Sequence, residues 1–148
     1  MATFDRELNG AMKQINTAVE KAIRGAAIEL FSEIVKRTPV GNPTLWAGPA
    51  AAGYTGGSLR GNWQTSLRSP NYGELAAKDA AGGQAIAKGA GKIKKFKLKD
   101  KSIFFTNNLP YADRVEHGWS KQRPEGMVRV TVKQFKPIIE KIARIHKV

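Results

Sequence analysis

One apolar stripe runs from Phe4 to Ile34 and sets how the first quarter of this chain can fold. Phe4, Leu8, Met12, Ile15, Val19, Ile23, Ala26, Leu30 and Ile34 recur at steps of three and four residues. That spacing keeps side chains on one face of an α-helix. Ala11, Ala18, Ala22 and Ala27 flank the stripe and leave room for close packing. Thr3 is placed to cap the start, and Asp5 and Glu7 suit the positive end of the helix. Pro39 stops it and pushes Thr38 out of helical geometry. About 33 helical residues within 1–37, at 1.5 Å each, make a rod about 50 Å long. That is a long rod for a chain of 148 residues, which reads as one domain. The helix either spans the whole subunit or projects one end toward a neighbour.

Residues 39–58 hold three prolines and five glycines and read as an extended loop. Trp46 and Tyr54 are its large aromatics. They either pack back onto the domain or meet another subunit, where aromatics are enriched. From Leu59 the period becomes two. Leu59, Gly61, Trp63, Thr65 and Leu67 alternate with polar neighbours, which predicts a half-buried strand with Trp63 in the core. A short helix over about Glu74 to Lys88 follows, weakened by Gly82-Gly83. Lys95, Lys97 and Lys99 then alternate with Phe96 and Leu98, and Asp100-Lys101 can turn the chain. This predicts a hairpin of strands 94–99 and 102–106 with one basic arm. Sheet and short helix together occupy 59–135. Phe135, Ile138, Ile139, Ile142 and Ile145 share a face and predict a C-terminal helix over 131–146, kinked at Pro137. His146 at its end suits the helix dipole. The expected fold is α+β, with both long helices packed on a small antiparallel sheet joined by long loops.

The formal net charge is +13, and it is unevenly placed. Residues 88–101 carry seven lysines against one acid: Lys88, Lys92, Lys94, Lys95, Lys97, Lys99 and Lys101 against Asp100. Such a field favours polyanions or an acidic protein surface, although edge strands also carry lysine simply to block pairing. No RNP, zinc-finger or helix-turn-helix pattern accompanies it, so the segment suggests nonspecific nucleic-acid binding at most. There is no cysteine, no apolar run long enough to cross a membrane, and MATFDREL lacks the basic start and apolar run of a signal peptide. Catalytic patterns are scarce. Asp113, Glu116 and His117 lack metal-ligand spacing. Asp113, His117 and Ser120 are too close in sequence for triad geometry, although a hydrolase built on His117 remains a rival. GAGK at Gly89 to Lys92 is followed by Ile93 where a phosphate loop needs Ser or Thr. The expectation is a non-enzyme with no cofactor and no metal.

Three pieces then fall in order: RTPVG at 37–41, GGSLRGNW at 56–63, and NNLPYADRVEHGWSKQRPEGMVRVTVKQF at 107–135. The chain resembles the neck and tail-completion proteins of long-tailed bacteriophages, found near the head–tail joint. The resemblance runs through Asn107, Asn108, Pro110, Tyr111, Ala112, Glu116, Gly118, Ser120, Gln122, Pro124, Gly126 and Met127. It implies a virion structural protein of the neck or proximal tail, assembled in the host cytoplasm as a homo-oligomeric ring. Six copies are favoured, to match tail symmetry, and twelve would match the portal. Neighbouring neck, tail or connector proteins and passing DNA are the implied partners. The loop before the Leu-Arg strand is longer than the family's, so Trp46 and Tyr54 would serve a contact particular to this protein.

The same stretch can be read residue by residue. Pro110 presets a helix start, with Asn107 or Asn108 as its cap, and Tyr111 and Val115 bury one face. Gly118 suits the helix end. Trp119 begins a turn stiffened by Pro124 and Gly126, and Glu116 and Gln122 accept its backbone hydrogen bonds. The expectation is a rigid knot for packing and assembly, with the lysine segment gripping an acidic neighbouring ring rather than DNA.

Overall fold

The computed structural model describes residues 2–146. The chain is α+β, with a long N-terminal helix, a C-terminal helix and a two-stranded antiparallel sheet. Helix α1 spans Ala2–Arg37 without a break. Thr3 therefore lies inside the helix rather than capping it. The helix ends one residue before Thr38, whose N–H still donates to Ile34 O at 3.1 Å and whose hydroxyl donates to the same carbonyl at 2.8 Å. The stripe foreseen from sequence is only part of the buried face. Phe31 and Val35, which lie off that stripe, are the most deeply buried large residues of the helix, beside Ala26, Ala27 and Ile34. The His146 side chain lies outside the described residues.

The segment expected as one strand over 59–67 divides into a helical turn, α2 (Ser58–Gly61), and a short strand, β1 (Gln64–Leu67). The reason lies in Asn62, whose amide donates to Ser58 O and Leu75 O, while its oxygen accepts from Leu75 N–H at 2.7 Å. That clasp holds the chain in a turn against its alternating pattern. Trp63, just before β1, is buried as expected, and its indole N–H donates to the Thr38 hydroxyl at 2.7 Å.

Helix α3 spans Gly83–Ile93, later than the helix expected over 74–88. The Gly82-Gly83 pair marks its start rather than weakening its middle. The Asp79 carboxylate accepts from Gly82 N–H and Ala85 N–H at 3.1 and 2.8 Å, capping the first turn. Ala85, Gly89, Ile93 and Phe96 point into the core. Gly89 permits the close approach of α1, since a Cβ there would lie 2.1 Å from the Phe31 ring.

The basic hairpin does not form. Residues 94–97 follow the end of α3 and lead into a 3-10 turn at Leu98–Asp100. Burial of Ile93 and Phe96 overrides the two-residue alternation. The other foreseen strand exists as β2 (Ile103–Thr106), but it pairs with β1, from Gln64 opposite Thr106 to Leu67 opposite Ile103. Phe105 of β2 meets Phe31 with ring centroids 5.1 Å apart.

Short helices α4 (Ala112–Glu116) and α5 (Val128–Val132) precede α6 (Phe135–His146). The single helix expected over 131–146 is thus two pieces. Pro137 falls in the first turn of α6, where its missing N–H has no helical partner to lose. Helix α6 runs back along α1, with Gln134 bonded to Arg37 and Lys141 to Glu29.

Candidate assembly surface

The C-terminal end of α1 is the hub from which the candidate site is built. Its last carbonyls would be orphaned by the proline stop. Arg60 donates from Nε to Thr38 O at 3.0 Å and from Nη2 to Lys36 O at 3.0 Å, and Arg123 Nε donates to Arg37 O at 2.7 Å. Two guanidinium groups thereby cap the negative end of the helix dipole. Burial, followed by the nearby charge of Arg123, lowers the Arg60 pKa. Gln122 adds a third tie, its amide donating to Val40 O at 3.0 Å. The expectation that the Gln122 side chain accepts from the turn is not met: it donates to a distant carbonyl.

Glu116 organises the knot. Burial pushes its carboxyl up, but N–H donors from Val128, Arg129 and Met127, with the Arg129 guanidinium, more than offset this and hold its pKa below the ordinary value. All three backbone bonds measure 2.8 Å. They fall on the entry to α5, just beyond the Gly118–Gly126 turn expected to receive them. A carboxylate there satisfies orphan donors and meets the positive end of the helix. Gly126 sits at φ +86°, and a Cβ would stand 2.4 Å from Glu116 O, so only glycine fits beneath the carboxylate. At the end of α4, Trp119 N–H bonds to Arg114 O and Gly118 N–H to Val115 O, the paired closure that a left-handed glycine permits.

The other motif residues are fasteners of different kinds. Asn107 and Asn108 do not cap α4, which starts at Ala112 with Tyr111 as its entry residue; Pro110 accordingly lies in the exposed turn before it. Asn107 Nδ2 donates to Leu59 O at 2.7 Å, and Asn108 Nδ2 to Asn71 O and Gly73 O. The first ties α2, and the second the loop at 71–73, to the end of β2. Ser120 Oγ accepts from Gln122 N–H at 3.2 Å, and Met127 is fully buried in the core.

Around this frame lies an apolar groove of about 550 Å³. Pro39, Val40, Trp46 and Tyr54, from the segment after α1, line it together with Tyr111, Val115, Trp119, Lys121 and Gln122, from α4 and the residues around it. Trp46 and Tyr54 stack edge to face with centroids 4.9 Å apart, yet both stay partly exposed. Trp119 is 67% exposed, with the Arg114 guanidinium 5.9 Å from its ring. Burial, then Tyr54 and Glu74, raise the Tyr111 pKa. The groove thus joins aromatics that sequence reading had flagged in separate segments.

Comparison with protein-family models, curated proteins and solved structures finds no match to this chain.

The lysines lie elsewhere. Lys88, Lys92, Lys94, Lys95, Lys97, Lys99 and Lys101 are all exposed along α3 and the turn after it. The turn is held by Asp100, which accepts from Lys97 N–H at 2.8 Å and Arg68 Nε at 2.6 Å. Those two bonds, the backbone one first, lower the Asp100 pKa. Asp113 and His117 form an exposed pair at 3.3 Å. No group of three metal-capable side chains occurs among the described residues, and no described helix is long and apolar enough to cross a membrane. Sequence reading missed Arg60, Asn62, Asp79 and Arg123, since single polar residues signal nothing until their distant carbonyl or amide partners are known.

Proposed function

We propose that this chain is a structural subunit of the neck or proximal tail of a long-tailed phage virion. In this reading it forms a ring that completes the tail or joins it to the head. The observation that carries it is the first half of α1, where Phe4, Leu8, Met12 and Ile15 are 63, 47, 53 and 62% exposed. A soluble monomer gains nothing by holding a row of large apolar side chains in water, whereas a subunit of a larger body does. The resemblance of residues 37–41, 56–63 and 107–135 to tail-completion proteins supports the same reading, and the Glu116 knot gives those residues a scaffolding role. A ring of six, or alternatively twelve, contacts neighbouring neck, tail or connector proteins, and assembly occurs in the host cytoplasm. The chain acts as a structural component rather than an enzyme. The test is imaging of intact particles with the protein tagged. Density at the head–tail joint supports the proposal; a particle lacking the protein refutes it.

The exposed lysines of 88–101 favour a second reading, nonspecific binding to nucleic acid. It requires tight, length-dependent DNA binding by the monomer that weakens steeply with added salt.

A further inference from the structure

Among the described residues, two of the unpartnered apolar features are opposite in shape. One is convex, the stripe on the first half of α1. The other is concave, the groove walled by Trp46, Tyr54, Tyr111 and Trp119. They lie at opposite ends of one rod. From Ile15 to Pro39 the chain advances 24 residues, about 36 Å at the helical rise. Because α1 is continuous from Ala2 to Arg37, the stripe cannot fold back into its own groove.

Charge makes the two features complementary. At about 100° per residue, Phe4, Leu8, Met12 and Ile15 fall within one strip roughly 80° wide. Glu7 and Asp5 lie on either side of that strip, while Arg6 and Lys13 lie on the opposite face. Residues 2–17 are neutral overall, so the +13 of the chain belongs to the rest of the molecule. Two bodies repel each other, and the arm is the part that approaches a second body without penalty. Lys121 lines the groove and Arg114 stands beside its Trp119 ring, so two cations are at hand for the flanking acids.

We propose that the arm of one copy seats its apolar stripe in the aromatic groove of the next. The contact is heterologous, head to tail, and its repetition closes a ring or grows a filament according to the rotation between copies. The inference rests on the self-assembly in the proposed function and names the surface that performs it.

The test uses two variants, each altered at exposed positions so that folding is retained, as circular dichroism checks. The arm variant is Leu8→Ser with Met12→Ser; the groove variant is Trp119→Ser with Trp46→Ser. Sedimentation velocity should show concentration-dependent oligomers for the natural chain. Each variant alone should associate more weakly by roughly tenfold or more. An equimolar mixture should form a heterodimer and nothing larger, because one sound arm and one sound groove remain. The chain has no cysteine, so Met12→Cys in one preparation and Trp119→Cys in another should give a disulfide-linked dimer only when mixed. Self-association of the groove variant at natural strength overturns the proposal, as does cross-linking of Met12→Cys to itself. If both variants assemble like the natural chain, this interface falls and the ring survives. A natural chain that stays monomeric at every concentration overturns the interface, and the particle images then judge the ring by themselves.

Discussion

From Ala26 to Arg37, α1 packs against α3, α5 and α6, while every residue from Thr3 to Thr17 is exposed. Both halves belong to one helix, and both carry large apolar residues every three or four positions. Periodicity therefore establishes a helix without saying what will cover it. The enclosed half is held by side chains from distant segments: Trp63 on Thr38, Arg60 on its last carbonyls, Arg37 on Thr131 and Gln134. The bare half propagates from that nucleus, since lengthening a formed helix is far easier than starting one.

The sharpest test of the enclosed half is Trp63→Ala. It removes a buried indole and its bond to Thr38, and should cost roughly 3–5 kcal/mol in urea unfolding. A loss below about 1 kcal/mol would show that the end of α1 is not clasped as described. The most direct comparison pairs two isoleucines of the same helix. At concentrations where the chain is monomeric, Ile34→Ala should cost about 2–5 kcal/mol, while Ile15→Ala should stay within about 0.5 kcal/mol. Equal losses would erase the distinction between the halves.

Glu116→Ala should cost roughly 1.5–3 kcal/mol, because three backbone donors lose a charged acceptor. The pH dependence has a definite sign. The folded carboxyl titrates below its ordinary value of 4.5. Its contribution is therefore fully present above that value and is lost as pH falls through the depressed folded pKa. Acid titration of stability in Glu116→Gln should lack this increment. A variant whose acid limb matches that of the natural chain would remove Glu116 from the account. Smaller still, Lys95→Gln should change stability by less than about 0.5 kcal/mol. In dilute, monomeric protein, amide exchange should separate the halves without any substitution, fast from Thr3 to Thr17 and slow from Ala26 to Thr38.

The failed hairpin and the Glu116 knot show how far residue patterns reach. Lysines alternating with Phe96 and Leu98 satisfy a strand as well as they satisfy a helix end followed by a turn. The choice fell to Ile93, buried on one face of α3 with Ala85 and Gly89, and to Phe96, buried in the turn that follows. Glu116 was legible as an acceptor because glycines and a proline cluster just after it, but its donors lay at 127–129 rather than inside the turn. Trp46, Tyr54, Tyr111 and Trp119 were visible singly. Their meeting in one groove was not, since no local rule connects positions separated by more than fifty residues.

By itself, the sequence determined the long helix and its stop at Pro39, the α+β class, the burial of Trp63 and the concentration of charge in 88–101. These depend on local spacing, on backbone sterics and on counting, all of which act within a few residues. Only the tertiary structure decided that Phe31 and Val35, rather than the whole foreseen stripe, face the core. It also decided that β2 pairs with β1 and that the arm stays bare while its continuation is buried. Those outcomes depend on which surfaces remain after every other segment has packed, and a linear pattern carries no record of that competition.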